Sequence, residues 1–199
     1  MNQLIVNLYG KELSNKLHQD IIKTMHYLKT WRSLKSRFVF ELIDTETGEL
    51  IGMAVFGEPC GTNVTKKYGN SVLELRRLWV KDGMQKNTTS WFLSRCLRYL
   101  KRTEHIGVIS YSDPNAGHIG TIYKATNFIN MGKELSSNPR VVVYKGKRIH
   151  MRQFYQKSKD TGEYMKSALF YQQLVKDKKA KIKNLKKKDI FYFKLKETK

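Results

Sequence analysis

The chain has 199 residues, 40% apolar and 12% aromatic, which is enough for a real core in about one domain and too much for a wholly disordered chain. Lys and Arg number 38 against 17 Asp and Glu, a formal charge of +21. That excess sets aside a neutral metabolic enzyme and points to a polyanionic partner, most simply a nucleic acid. No run approaches the ~20 apolar residues that cross a bilayer, and the first residues lack a basic region followed by an apolar one, so a soluble, unsecreted, cytoplasmic protein with no membrane partner is expected.

In chain order, residues 3–8 read as a short strand, and Ser14 caps a helix to about Lys29 with Leu17, Ile21, Ile22, Met25 and Leu28 on one face. Residues 38–43 and 50–56 form a β-hairpin around Asp44–Gly48, with Gly48 suited to a left-handed turn position. Residues 72–80 alternate as a strand and end in the loop 81–87. Thr88 or Thr89 caps the next helix, whose stripe Trp91, Phe92, Leu93, Cys96, Leu97 and Leu100 ends at Lys101 and Arg102, cations favoured at a helix C-terminus. Gly107–Tyr111 is a short buried strand, 119–128 a helix, and 141–144 with 149–154 a hairpin turning at 145–147. A helix over about 164–181 and a strand over 190–195 complete the chain. This order predicts an α/β fold with a mixed sheet flanked by helices: one domain over 1–175 and a basic extension with a final strand over 176–199. Cys60 and Cys96 have neither the count nor the spacing of a disulfide framework or zinc site, and Cys96 reads as a core residue.

The charge is unevenly spread. Residues 1–60 hold seven basic and seven acidic side chains, so the whole excess lies in 61–199. Between Arg140 and Lys159 stand seven basic residues and no acid, interleaved with Tyr144, His150, Phe154 and Tyr155. Lys145, Lys147, Arg148 and Arg152 are the candidate contacts to nucleic-acid phosphates, with rings nearby for stacking. The plain alternative is a solvated face that keeps the protein dissolved.

The densest run of chemically useful residues is 110–127, Ser-Tyr-Ser-Asp-Pro-Asn-Ala-Gly-His-Ile-Gly-Thr-Ile-Tyr-Lys-Ala-Thr-Asn, just beyond the carboxyl end of a buried strand, where open α/β sheets bind ligands. Asp113-Pro114-Asn115 also suits a simple turn. Together with Glu74-Leu-Arg-Arg-Leu-Trp-Val80, this run resembles the bacteriophage Mom DNA-modification family, a divergent branch of the GCN5-related N-acetyltransferase (GNAT) fold. The resemblance covers roughly residues 38–130.

That resemblance implies a GNAT-like, mostly antiparallel sheet and a transferase that converts adenine in phage DNA to an N6-carbamoylmethyl derivative resistant to host restriction, acting in the host cytoplasm. It places Arg77, Asp113 and Tyr123 at catalytic or cofactor positions, with Ser110, Gly117, His118 and Gly120 also matching. It implies acetyl-CoA or a related CoA species as cofactor, held at Asn87, Thr88, Thr89 and Ser90; the loop there departs from the usual pattern in having one glycine, Gly83. No metal ligand set accompanies His118, which has no second histidine or carboxylate at ligand spacing.

The chemistry can be argued from the substrate. Adenine N6 is a poor nucleophile, so a carboxylate that accepts its proton is physically sensible, and Asp113 is the candidate base. A duplex hides the amine, so the base must swing out at a cost of about a few kcal/mol, offset by stacking on Tyr111, Tyr123 or Trp79. Each of these is more often a core aromatic, Trp79 above all, and the Tyr123 hydroxyl can instead donate to a leaving thiolate or a carbonyl. Plain alternation puts Leu75, Arg77 and Trp79 on one face of their strand. Arg77 then serves either a salt bridge with Glu74 or Asp113 or an anionic ligand. His118 either polarises a carbonyl or ties its turn. Three rivals stand beside this reading: an acetyl-CoA-dependent N-acetyltransferase of a protein or small amine, a non-catalytic DNA-binding protein, and an S-adenosylmethionine-dependent methyltransferase, which lacks its second proline, aromatic and Gly-rich loop here.

Overall fold

The computed structural model describes residues 4–10, 16–25, 36–59, 62–134, 139–150 and 167–196. They form strands β1 (Leu4–Gly10), β2 (Ser36–Asp44), β3 (Leu50–Gly57), β4 (Val72–Val80), β5 (Gly107–Ser112), β6 (Ile129–Lys133), β7 (Arg140–Tyr144), β8 (Lys147–His150), β9 (Ala180–Asn184) and β10 (Asp189–Lys194). The helices are α1 (Lys16–Thr24), α2 (Thr62–Tyr68), α3 (Thr88–Leu100), α4 (Thr121–Ala125) and α5 (Ser167–Lys176). The chain divides into two compact units, one of Met1–Ser112, Ala116–Leu135 and Lys188–Lys199, the other of Asp113–Asn115 with Ser136–Lys187. Among the described residues no helix is long and apolar enough to cross a membrane.

The first unit is a seven-stranded sheet in the order β1-β2-β3-β4-β5-β10-β6, antiparallel throughout except for the parallel pair β4–β5. Strand β3 is apolar along its whole length because both of its faces are covered. On one face Phe40, Phe56, Leu73 and Leu75 pack with Phe92, Leu93, Cys96, Leu97 and Leu100 of α3. On the other, Val39, Met53 and Val55 pack with Ile22 of α1, and Val72 and Ile109 with Val64 of α2. The β2–β3 hairpin turns as its sequence demands: Asp44 Oδ1 accepts the Glu46 amide at 2.9 Å, and Gly48 takes φ +69°.

Two helices are shorter than their periodicity predicts, for one shared reason. The helix expected over 119–128 is only α4, closed by Asn127 at φ 61° with Phe128 N donating to Tyr123 O and Asn127 N to Lys124 O. The helix expected to reach 181 stops at Lys176, where Lys178 at φ 56° is accompanied by Lys179 N to Leu174 O and Lys178 N to Val175 O. Both are Schellman ends built on residues other than glycine. Each is followed by a strand the periodicity does not announce, β6 and β9, and α2 is likewise unannounced. The expected cap at Ser14 lies outside the described residues, as do Cys60, Arg152, Phe154 and Tyr155.

In the second unit β8, β7 and β9 form an antiparallel sheet. One face, through Val142, Ala180, Tyr144 and Ile149, packs on Tyr171, Leu174 and Val175 of α5.

Candidate active site at the split between β4 and β5

Strands β4 and β5 pair only at Val72–Gly107, Leu73–Val108 and Glu74–Ile109. Beyond that point β4 continues beside β3 and β5 beside β10, and the ladder between them ends. Strand β4 also carries a bulge: Val55 pairs with Arg77 and Phe56 with Leu75, so Arg76 is the extra residue. The bulge reverses the parity that plain alternation predicts. Leu75 and Leu78 face α3, whereas Glu74, Arg77 and Trp79 face α1, as the partners Gly57, Val55 and Met53 and the two core clusters require. Arg77 therefore shares a face with Glu74 rather than with Leu75.

A cavity of about 570 Å³ occupies the split. Leu78, Val80, Ile122 and Tyr123 line it from the α3 face, and Glu74, Arg77, Trp79 and Tyr111 from the other, so it passes through the sheet beside β4. Gly117, His118, Gly120 and Lys188 line it as well.

Ser110 sits one step past the last ladder pair and takes over where the backbone bonds end. Its buried hydroxyl donates to the Tyr123 hydroxyl at 2.8 Å and lies 3.4 Å from the Leu75 carbonyl. The Tyr123 hydroxyl in turn points at the Tyr111 carbonyl, 3.4 Å away. The Tyr123 ring is held by Phe191 and Phe128, with centroids 5.0 and 5.4 Å away. Burial pushes its phenol above the ordinary value, opposed in part by the Ser110 hydrogen bond. A neutral, positioned phenol on a cavity wall is a hydrogen-bond donor throughout the physiological range. Gly120 at φ +76° starts α4, and a Cβ there would overlap the Phe191 ring, so only glycine lets α4 approach β10 this closely.

The other predicted residues fall as follows. His118 is exposed along the cavity, and its carbonyl accepts the Ser112 hydroxyl at 2.8 Å. Arg77 is half-buried, with Nη1 donating to the Arg76 carbonyl at 2.6 Å. Asp113 is half-buried, and its Oδ1 accepts both the amide and the side-chain Nδ2 of Asn115, at 2.9 and 3.0 Å, across the single 3₁₀ turn Pro114–Ala116. The turn reading of these three residues thus holds, and the carboxylate that lines the cavity is Glu74. Glu74 stands in the β4 stretch singled out from sequence, where only a bridging role to Arg77 was visible. Lys188 carried no sequence signal beyond its place in a lysine run.

A second cavity of about 490 Å³ adjoins the first, sharing Val80, Thr89, Thr121 and Ile122. It is formed by the loop 81–87 and the start of α3. Asn87, not a threonine, holds the cap position, in a left-handed conformation at φ 72° and without a side-chain cap bond. The Thr88 hydroxyl bonds back to Gln85 O at 2.7 Å and Ser90 Oγ to Asn87 O at 2.9 Å. The amides of Thr89 and Ser90 belong to the first turn, which has no acceptors of its own within the helix. With the helix dipole and Lys86 beside them, they are the groups that could hold a phosphate; Lys81, which also lines this cavity, is paired with Glu49 at 2.6 Å. In the second unit Lys145, Lys147 and Arg148 are exposed around the β7–β8 turn.

The comparisons with known proteins agree with this architecture. The yncA protein of Salmonella typhimurium, solved with acetyl-CoA, superposes with a TM-score of 0.56 at 11% identity, covering 99% of this chain and 96% of that one. An acetyltransferase of Bacillus subtilis in complex with CoA gives 0.50 at 12% identity, covering 96% and 99%. The fold is that of the GNAT acetyltransferases, with a mixed, mostly antiparallel sheet flanked by helices. In sequence the chain is 28% identical over 145 residues to the protein named methylcarbamoylase mom of Escherichia phage Mu, an alignment that takes in 67% of this chain and 59% of that protein's length. The model of the Mom protein family matches residues 7–199, nearly the whole chain, and the chain belongs to that family.

Proposed function

We propose that the chain is a DNA-modifying transferase that alters adenine at its exocyclic N6, with carbamoylmethyl as the group added and protection from restriction as the result. What carries the reading is a coincidence of two independent patterns. From the stretch that marks the family in sequence, Tyr111 and residues 117–123 line the cavity that passes through the sheet, opposite the β4 stretch 74–80.

The start of α3 suits the pyrophosphate of acetyl-CoA or a related CoA species, since two first-turn amides and Lys86 stand beside a cavity of sufficient volume. When bound, such a thioester would supply an acyl group with the thiol as leaving group, which balances for N-acetylation; the amide nitrogen and the N6–CH2 bond of a carbamoylmethyl group require a further, nitrogen-bearing donor. Thr89, which lines both cavities, marks where one opens into the other. On the α3 face the Tyr123 hydroxyl, held by Ser110, donates a proton or hydrogen bond to the leaving or carbonyl atom. On the α1 face Trp79 and Tyr111 offer ring surfaces to a base, and Arg77 an anion contact. His118 lies where it can polarise a carbonyl. Two carboxylates are the candidates to accept the amine proton: Asp113 on the family resemblance, and Glu74 because it lines the cavity. A subset of the cations of the second unit holds the phosphates of double-stranded DNA.

An N-acetyltransferase acting on a protein or small amine is the second reading, favoured by the same helix start and split. The two are separated by expressing the full chain with a plasmid and analysing its nucleosides by mass spectrometry. A new adenine species carrying the added mass supports DNA modification, and its loss in Asp113→Asn or Glu74→Gln identifies the base. Unchanged DNA from a folded chain that binds CoA overturns the DNA reading.

A further inference from the structure

The sheet of the second unit divides its cations by register. Val143 pairs with Arg148 on one side and Lys181 on the other, and Val141 pairs with Lys183. Directly paired residues point to the same face of a sheet. Arg148, Lys181 and Lys183 therefore share one face. The opposite face carries Val142, Tyr144, Ile149 and Ala180, which pack on α5, and Lys147 belongs to it because it pairs with Tyr144. All three cations of the first group are exposed. Residues 139–150 and 178–187, which hold the three strands and the turns flanking them, contain ten Lys and Arg and no acid. Like charges gathered on one face of a sheet repel one another, and a polyanion laid over that face relieves the repulsion.

We propose that the face of the β8–β7–β9 sheet opposite α5 takes the phosphodiester backbone of duplex DNA through Arg148, Lys181 and Lys183. The inference rests on the DNA reading above and goes beyond it by naming the surface and by separating Arg148 from its neighbour Lys147. Lys181 and Lys183 lie two residues apart on β9, about 7 Å along the strand, and Arg148 stands two strands across, about 10 Å away. The three make a triangle broad enough to touch several phosphates in turn. Backbone contact of this kind is indifferent to sequence and is measured by the counterions it releases, each phosphate neutralised adding about 0.9 to the slope of log K against log salt concentration.

The test is the salt dependence of binding of the full chain to a random-sequence duplex, by fluorescence anisotropy from about 50 to 200 mM salt. Replacing all three residues by Gln lowers the magnitude of the slope by about 2.7, and the Lys181→Gln, Lys183→Gln pair alone by about 1.8. Lys147→Gln leaves it within about 0.5 of the wild type on the same scale. Circular dichroism of each variant confirms that it is folded, and the double variant serves if the triple one is not. A wild-type chain with salt-dependent affinity, whose slope the double and triple variants leave unchanged, overturns the surface and leaves the DNA reading standing. A Lys147→Gln effect as large as that of Arg148→Gln overturns the assignment of faces. A wild-type chain with no affinity for duplex overturns the DNA reading itself.

Discussion

Replacing Tyr123 by Phe separates a chemical role for the hydroxyl from a structural one. The substitution keeps the ring between Phe191 and Phe128 and removes one oxygen, with its 2.8 Å bond to Ser110. A single neutral hydrogen bond contributes about 0.5–1.5 kcal/mol net, which for a chain of this size lowers the melting temperature by about 2–4 °C per kcal/mol. Against a typical stability of about 5–15 kcal/mol the folded population stays above about 99%. Unfolding therefore removes almost none of the activity. Loss of a proton donor costs about 10²–10⁴-fold in rate, so the turnover for modified deoxyadenosine, followed by nucleoside mass spectrometry, is expected to fall by at least 100-fold while the melting curve barely moves. Ser110→Ala, which leaves the phenol in place, falls less. A Tyr123→Phe turnover within threefold of the wild type refutes the role. Alkaline unfolding is a second readout. Because burial raises the phenol's value in the folded state, folded and unfolded chains both hold the proton below the ordinary value of about 10, and stability is unaffected there. As pH climbs past it the unfolded chain releases the proton first, so stability falls toward the folded value. In Tyr123→Phe that share of the loss disappears from urea titrations at about pH 9–11, whereas Tyr192, also raised by burial, keeps its own share.

Lys86→Gln removes the cation beside the first-turn amides without touching the helix, and a lost bond to a charged phosphate of about 1.5–3 kcal/mol predicts CoA binding weaker by about 10- to 150-fold in calorimetry. Unchanged affinity would place the pyrophosphate elsewhere. Gly120→Ala forces a side chain into a left-handed position and against the Phe191 ring, a destabilisation of about 2–5 kcal/mol in denaturant unfolding. His18 is fully buried, with Nε2 2.6 Å from Glu41 Oε1 and the Tyr9 ring edge-on at 4.4 Å. His18→Ala is expected to cost about 2–4 kcal/mol, and a loss below about 0.5 would mean that α1 is held by Ile22 alone.

The sequence disclosed those elements whose side chains answer to one local rule. Strand β4 spans the nine residues its alternation predicts, the β2–β3 hairpin turns on Asp44 and Gly48, and α3 begins at Thr88 beneath a continuous apolar stripe. What stayed hidden depends on pairing between distant strands. The bulge at Arg76 has no marker in β4 itself, yet it decides which residues Arg77 faces. The helix ends at Asn127 and Lys178 lack the glycine that would announce them, so the first residues of β9 fall within an expected helix, and β6 follows one without a signal of its own. Glu74 was read as a bridge because its place on the cavity wall exists only once β4 and β5 part. The family stretch 110–127 was visible because polar residues crowd there beyond a buried strand. Their division into Tyr123 on one side of the sheet and Tyr111 on the other was not.

Strand β10 lies in the interior of the first sheet, yet it is made after the whole of the second unit. A ribosome that has delivered residues 1–187 has therefore made both walls of the chamber but left β5 with an open edge, its six backbone positions opposite 189–194 still bonded to water. Phe191, which props both Tyr123 and the tight start of α4, arrives with that final segment. The geometry of the chamber is therefore fixed by a strand synthesised after both of its walls, and a substitution that weakens β10 should disturb the site without touching a residue that lines it.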